Sequence, residues 1–355
     1  MIRTFSSPQT YIQGPGVLRT QLNQLQRLGG QAVVVTDEFV KNMLGDQLTA
    51  DLKQTEIDCV FFLVDKQAQD ELKISLKKTI AATEKAVFVI GLGGGRAIDS
   101  AKTLADAAGL PIAVLPTSAS MDAPTSRISV IYDEQGVFQR YDYYPTNPEV
   151  LLVDTEVIFA APGILLAQGI ADGLATYIEA RAVWHDGGNN ITGGKPTFAS
   201  WAIAEKCRDV LFDSARQALT DQKQGILSAD FEAVVEANIL LSGLGFENGG
   251  LSLAHGFHNV IMGSQKYAVK AAHGEIVAVG LLIQLAAEGR TDEFMVYHEL
   301  LSAIGMPVTL AALGIDRQQL SLEQLAAAVL ATGQAGNHIP LGVGPSELIA
   351  ALETV

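Results

Sequence analysis

"VFVIGLGGGRAIDSAK", residues 87–102, is the stretch that decides the fold. A β-branched and aromatic run, Val87–Ile90, leads into Gly91, Gly93, Gly94 and Gly95, four glycines in five positions. Helical spacing starts at once with Arg96 and closes near Gly109. Strand, tight turn and helix follow one another with no linker. Near-continuous apolar runs belong to strands buried on both faces. Three more occur nearby: "QAVVVTDEFV" (31–40), "DCVFFLVD" (58–65) and "LPIAVLPT" (110–117). "RTQLNQLQRL" (19–28) and "RAIDSAKTLADAAG" (96–109) carry helical spacing and end near glycine. Such alternation gives a parallel sheet covered by helices. "RISVIYDEQGVFQRYDYY" (127–144) reads as a hairpin turning at Glu134, Gln135 and Gly136.

The texture changes at "PGILLAQGIADG" (162–173). Alanine, leucine and glutamate dominate from there, and strand-like runs nearly vanish. Pro162 suits the opening of a helix. The chain therefore divides into an α/β domain, residues 1–160, and an all-helical domain, residues 161–355. "HDGGNNITGGKPT" (185–197) is a polar, glycine-rich loop inside the helical part.

The 355 residues are 48% hydrophobic and 18% charged, enough apolar surface for two sizeable cores. A net charge of −15 argues against a nucleic-acid partner, which needs a basic face, and against anionic membranes. No apolar run approaches bilayer length. The N-terminal stretch lacks the apolar segment of a secretory signal. Cys59 and Cys207 have no partner at motif spacing, which points to a reducing cytoplasm.

The glycine turn has a chemistry. Without Cβ atoms the backbone can approach a ligand, and the N–H groups opening the helix at Arg96 and Ala97 face a bound anion. A pyrophosphate fits. G-x-G-x-x-G is not matched, because Arg96 stands at the third glycine. Asp37 ends an earlier strand, where it can bind a ribose hydroxyl and repel a 2′-phosphate. "NNITGGKP" (189–196) is a failed phosphate loop: Asn189 replaces its first glycine and Pro196 its hydroxyl residue.

Of six histidines, His255, His258 and His273 fall within "HGFHNVIMGSQKYAVKAAHGE" (255–275). His255 and His258 share a helical face. His273 follows a turn at Met262–Gly263, so two helices can bring it back to His255. A catalytic zinc takes three protein ligands and keeps an open position. Asp172 lies among Ile170, Leu174, Ala175 and Ile178, and a carboxylate in that setting needs a partner or a cation. Pairing with Arg181 is the ordinary alternative, and satisfied core histidines are the alternative for the imidazoles.

Four stretches together resemble the glycerol dehydrogenases within the iron-containing alcohol dehydrogenase superfamily. They are "GLGGGRAIDSAK" (91–102), "LPTSASMDAPTSRISVIY" (115–132), "GIADGLATYIEARAV" (169–183) and "GGLSLAHGFHNVI" (249–261) with "AAHGE" (271–275). Their order and spacing fit over nearly the full length. The resemblance implies a dehydroquinate synthase-like, glycerol dehydrogenase-like fold: a dinucleotide-binding α/β domain with a parallel sheet, then an all-α metal-binding domain. It implies that Asp172, His255 and His273 hold Zn2+. Iron enzymes of the superfamily add a histidine where this chain has Thr176, which favours the three-ligand zinc set. It implies that NAD is bound at Asp37, Gly94, Gly95, Arg96, Thr117, Ser120, Ser126, Ile128 and Tyr132.

The same resemblance makes Asp122 the residue that helps hold a small polyol. His258 is a second catalytic candidate, orienting water or substrate, with a structural role left open. The implied reaction is reversible oxidation of glycerol or a related polyol to the hydroxyketone, with zinc as Lewis acid and NAD as redox partner. A cytoplasmic homo-oligomer is implied, with an octamer as one size. Arg96 departs from the usual lysine, and Arg127 adds a cation near the substrate loop. Both leave room for NADP or for an anionic substrate such as a 2-hydroxy acid, glycerol-1-phosphate, a sugar phosphate or the substrate of a dehydroquinate synthase-like lyase. A regulator that binds nucleotide without catalysis is the remaining rival, and an open metal site argues against it.

Overall fold

The computed structural model describes all residues except 65–68, 133–137, 265, 266, 268 and 317–319, and omits the side chains of 69, 70, 132, 138, 334 and 335. All eight described strands precede residue 155: β1 Thr10–Gly14, β2 Gln31–Thr36, β3 Asp58–Leu63, β4 Val87–Gly93, β5 Ile112–Pro116, β6 Ile128–Tyr132, β7 Phe138–Tyr143 and β8 Val150–Asp154. Six form one sheet in the order β1-β8-β5-β4-β2-β3. Every pairing in it is parallel. Every residue of β2, β4, β5 and β8 is buried, as their continuous apolar runs require. The edge strand β3 exposes Asp58 and Val60 instead.

Alternation along each strand divides two cores. Val33, Val35, Val89, Val114, Leu151 and Val153 share one with Leu72, Leu76 and Leu104 and with the helices that follow the sheet. Val34, Phe88, Ile90, Leu115 and Leu152 face Leu18, Leu22, Leu48 and Leu52. The chain passes from β2 outward to β3, then returns to place β4 on the other side of β2. The sheet therefore reverses direction between β2 and β4, and the crevice beyond such strand ends is where open α/β sheets bind ligands.

β6 and β7 form the expected antiparallel pair. Its turn at Glu134–Gly136 lies outside the described residues. Two expectations need amending. β1 and β8 escaped notice: "TYIQG" is short, partly polar and half-buried, and "VLLVD" follows the hairpin with little punctuation. Residues 19–28 are not one helix. A single turn, Val17–Thr20, breaks at Gln21 (φ −122°) into a 3₁₀ turn, Leu22–Leu25. Leu18, Leu22 and Leu25 are buried as their spacing demands, but in a tighter backbone.

From residue 155 onward the described chain is helical. The helix Gly163–His185 is buried on every side from Leu166 to Val183, the mark of a central helix. Phe198–Gln224, Leu253–Met262 and His273–Ala287 pack around it. At Gly169 it meets the loop after β5 so closely that a Cβ would lie 1.9 Å from the Ala119 carbonyl oxygen. Asn238 Nδ2 donates to that same carbonyl (2.8 Å) and to Leu166 O (3.2 Å). No described helix is long and apolar enough to cross a membrane.

Candidate active site

The sheet contributes strand ends. Asp37 directly follows β2 and caps the next helix, its Oδ1 accepting from the Val40 N–H at 2.7 Å. Its Oδ2 faces the glycine turn after β4: it lies 3.9 Å from where a Cβ on Gly93 would stand. Gly93 has φ +141°, which a side chain would strain. The helix Gly95–Ala108 opens there with no side-chain cap, so its first N–H groups are left for a ligand. Thr117 is buried at the end of β5 and donates its N–H to Gly93 O (3.1 Å). Ser120 Oγ lies 3.2 Å from Ser118 Oγ beside the turn. Asp37, the glycines, Thr117 and Ser120 thus gather around the switch point. Arg96 is exposed on the first helical turn. Ser126 and Ile128 sit further along, towards the helical half. The side chain of Tyr132 lies outside the described residues.

The loop carrying Asp122 and Ser126 is fastened from below by a residue that no sequence pattern marks. Lys102 is fully buried; its Nζ donates to Ala123 O (2.5 Å) and Ile128 O (2.8 Å) and lies 3.9 Å from Asp99 Oδ1. Burial lowers its pKa, opposed by Asp99 and Glu247. The other side of the loop is tied by Thr125 Oγ1, which donates to Ile239 O (2.6 Å).

Three helices supply the rest. Asp172 on Gly163–His185 is 1% exposed, and its Oδ2 has no hydrogen-bond partner. His273 Nε2 lies 3.1 Å from Asp172 Oδ1, and His255 Nε2 3.4 Å from the same oxygen. One ligand atom from each residue falls within 4.8 Å of the others. Around a tetrahedral centre with bonds near 2.0–2.1 Å, ligand atoms stand roughly 3.3 Å apart.

The outer partners are consistent with one assignment of the ring protons. Glu179, two turns after Asp172 and fully buried, accepts from His255 Nδ1 at 2.6 Å. It also takes the N–H groups of Ser252 (2.8 Å) and His255 (2.9 Å). Tyr141 OH donates to Asn259 Oδ1 (2.7 Å), which lies 3.1 Å from His258 Nδ1. His258 Nδ1 is then a donor, and its Nε2 accepts from His273 Nδ1 at 3.0 Å. In neutral rings both Nε2 atoms are left bare. Two lone pairs and a carboxylate oxygen converge with no proton among them, a set that a divalent cation satisfies.

Burial opposes ionisation of Asp172, yet His273 and His255 hold its pKa below the usual carboxylate range. Burial opposes charging of His255, but Glu179 and Asp172 outweigh it and raise its pKa well above normal, so without a metal the ring holds a second proton that a divalent cation would displace. Burial and the neighbouring imidazoles push His258 well below. Arg181 pairs with Glu288 and Glu293, so the alternative partner for Asp172 is engaged elsewhere. Thr176 Oγ1 lies 2.9 Å from Ser242 Oγ, which donates to Asp122 Oδ2 (3.0 Å). That position holds a hydroxyl chain rather than a fourth ligand.

A cavity of about 60 Å³ adjoins His255 and His273. With about 10–15 Å³ housing one water, it suits a molecule of a few heavy atoms. Ile128, Val130, Phe246, Leu251 and the Tyr141 ring give it an apolar wall, and Asp99, Asp122, Ser126, Tyr143 and Asn337 join the two histidines as polar members. Burial raises Asp122 well above the carboxylate range, with repulsion from Asp172 adding. Burial pushes Asp99 up to about 6. Arg127 does not line the cavity: it donates to Pro145 O (3.2 Å) and lies 3.6 Å from Glu247. Lys270 is exposed, and Lys266 lies outside the described residues. A larger hollow of about 910 Å³ beside Gly163, Arg216 and Gly305 contains no histidine and no carboxylate.

Known proteins resemble this chain throughout. The profile of the iron-containing alcohol dehydrogenases matches residues 8–155. A glycolaldehyde reductase of Halobacterium salinarum is 39% identical over 100% of this chain and 97% of its own. A glycerol dehydrogenase of Escherichia coli is 37% identical, covering 99% and 96%. The crystal structure of glycerol dehydrogenase from Schizosaccharomyces pombe superposes with a TM-score of 0.89 at 33% identity, over 99% of this chain and 90% of that one.

Proposed function

This chain belongs to the glycerol dehydrogenase group of the iron-containing alcohol dehydrogenase family, and on that footing we propose that it is an NAD- and zinc-dependent oxidoreductase of small polyols. The reaction is the reversible oxidation of glycerol or a related diol to the hydroxyketone, dihydroxyacetone in the case of glycerol. The observation that carries the reading is the convergence of Asp172 Oδ1, His255 Nε2 and His273 Nε2 beside a cavity of a few heavy atoms.

Bound there, zinc supplies Lewis acidity and NAD the redox partner, and the protein does the positioning. Asp172, His255 and His273 hold the metal. Glu179 and His258 orient the two imidazoles by taking up their far nitrogens. Asp122 accepts a hydrogen bond from the polyol, and the apolar wall keeps water out. Asp37 takes a ribose hydroxyl, and the N–H groups after Gly94 and Gly95 take the pyrophosphate, with Thr117, Ser120, Ser126, Ile128 and Tyr132 completing the cofactor cleft. Residues 1–160 form the NAD-binding domain and 161–355 the catalytic one. The proposal extends to a cytoplasmic homo-oligomer.

An anionic substrate finds less support. Asp99 and Asp122 line the cavity with Asp172 behind His273, and among the described residues no lysine or arginine lines it. The glycolaldehyde reductase relative points to the same chemistry run in reverse on a two-carbon molecule. The test is NADH formation across glycerol, propane-1,2-diol, glycerol-1-phosphate and 2-hydroxy acids. It is run on metal-stripped protein and after zinc or iron is restored. We expect diol oxidation that vanishes on stripping and returns with zinc. Undiminished turnover without metal, or a preference for the phosphate ester, would overturn the reading.

A further inference from the structure

The cavity beside the histidines is bordered by a segment near the C-terminus, Gly336–Asn337, that the proposed chemistry does not yet use. Asn337 sits on it. The side chain is 7% exposed, lines the cavity with Asp122, His255 and His273, and is hydrogen-bonded to no other described side chain or backbone group. A buried amide that the protein leaves unpaired is built to meet something else.

Its position is held by the same elements that hold the metal site. His338 N–H donates to Leu251 O (2.8 Å), and Ser252 Oγ donates to His338 O (2.7 Å). Ser252 directly precedes the helix of His255. The His338 ring lies 2.8 Å from Asp186 Oδ2, and the Leu341 N–H donates to that oxygen at 2.7 Å. Asp186 ends the helix of Asp172. Asn337 is therefore clamped between the supports of two metal-facing residues.

The chemistry of the cavity gives the amide a task. An alcohol hydroxyl both donates and accepts, and a carboxamide meets it with an N–H donor whatever the protonation of Asp99 and Asp122. Ser126 Oγ already donates to Ala123 O (3.4 Å), Tyr141 OH to Asn259 Oδ1 (2.7 Å), and Tyr143 is largely exposed, so among the described lining residues Asn337 is the buried neutral donor not already engaged. We infer that Asn337 is a specificity-determining residue: its carboxamide donates to the hydroxyl on the carbon next to the reacting one, which selects 1,2-diols over simple alcohols. The inference rests on the polyol reading above.

The test compares kcat/KM for propane-1,2-diol with that for propan-2-ol in the metal-loaded enzyme and in Asn337→Leu, a near-isostere without the amide. The diol-to-alcohol ratio should fall about ten- to a hundred-fold, mostly through KM for the diol. Asn337→Ser, which restores a donor on a shorter arm, should recover part of the ratio. A ratio unchanged while both substrates decline together would make Asn337 structural and overturn the inference. So would loss of metal or of folding in both variants. A wild-type enzyme inactive on every diol would instead sink the polyol reading, a result distinct from an unchanged ratio.

Discussion

The two halves of the molecule build their ligand-facing surfaces in opposite ways. In the sheet half the groups are largely backbone, set by strand order: the turn after β4 and the residue after β2 meet because the sheet reverses between those strands. In the helical half the groups are side chains at positions 172, 255 and 273, on three helices that packing and the buried hydrogen bonds of Glu179 bring together. A surface made of backbone survives changes of side chain that leave the turn intact. A surface made of converging lone pairs depends on every member. The halves should therefore fail differently when altered.

The largest difference comes from the metal site. Asp172→Ala removes the oxygen that both imidazoles face, and activity should fall on the order of 10³-fold or more with loss of bound metal. NAD binding, followed by quenching of protein fluorescence, should persist. Loss of NAD binding together with metal would break the comparison, since the sheet half would then depend on the helical one.

Next in size is Glu179→Gln. The amide can still accept from the Ser252 and His255 N–H groups, but it no longer attracts the ring proton on His255 Nδ1 as an ion. Metal affinity, measured by chelator competition, should drop about ten- to a hundred-fold, with the fold retained. Unchanged affinity would mean that packing alone orients His255.

How much of this could be read from the sequence follows the same division. The glycine turn, Asp37 and the strands β2, β3, β4 and β5 were legible because each is a contiguous pattern whose meaning is local, although β3 proves a part-exposed edge and not a buried strand. Asp172 stood out because a carboxylate sits among aliphatic neighbours, and the histidines because they are few and crowded. Glu179 was not legible: two residues from Arg181 on an alanine-rich helix, it looks like a surface charge until the helix is seen to be buried on all sides. Lys102 hides in the same way, as one of many lysines until its helix is packed against the substrate loop. Arg127 misled in the other direction. Its place beside "DAPTS" suggested a cation for the substrate, but Glu247, 120 residues away, draws it off. β1 was missed because its partner, β8, lies at the far end of the sheet half's sequence.

Lys102 sharpens the comparison on the sheet side. Lys102→Met keeps the apolar stem and removes the ammonium that holds Ala123 O and Ile128 O. Two buried carbonyls lose a charged donor, a cost of about 2 kcal/mol after relaxation. The fall should show as a lower Tm and a higher KM for the polyol, because Asp122 rides on the loop that Lys102 fastens. Metal content should stay the same. A variant with normal Tm and KM would mean that Thr125 and the close contact at Gly169 suffice to hold the loop.

The smallest expected effect is at Asp37, and it separates two roles of one side chain. Asp37 Oδ1 caps the helix Glu38–Gln54, while Oδ2 faces the glycine turn. Asparagine caps a helix about as well as aspartate, so Asp37→Asn leaves that role in place and removes only the charge. Repulsion of a 2′-phosphate should weaken, and the preference for NAD over NADP should narrow about ten-fold, near 1.4 kcal/mol. Tm and metal content should not move. If the preference is untouched, discrimination lies in the shape of the cleft, and the strand end acts only as a cap. If Tm falls instead, the charge itself stabilises the helix N-terminus, and the separation of backbone-built from side-chain-built surfaces fails at this residue.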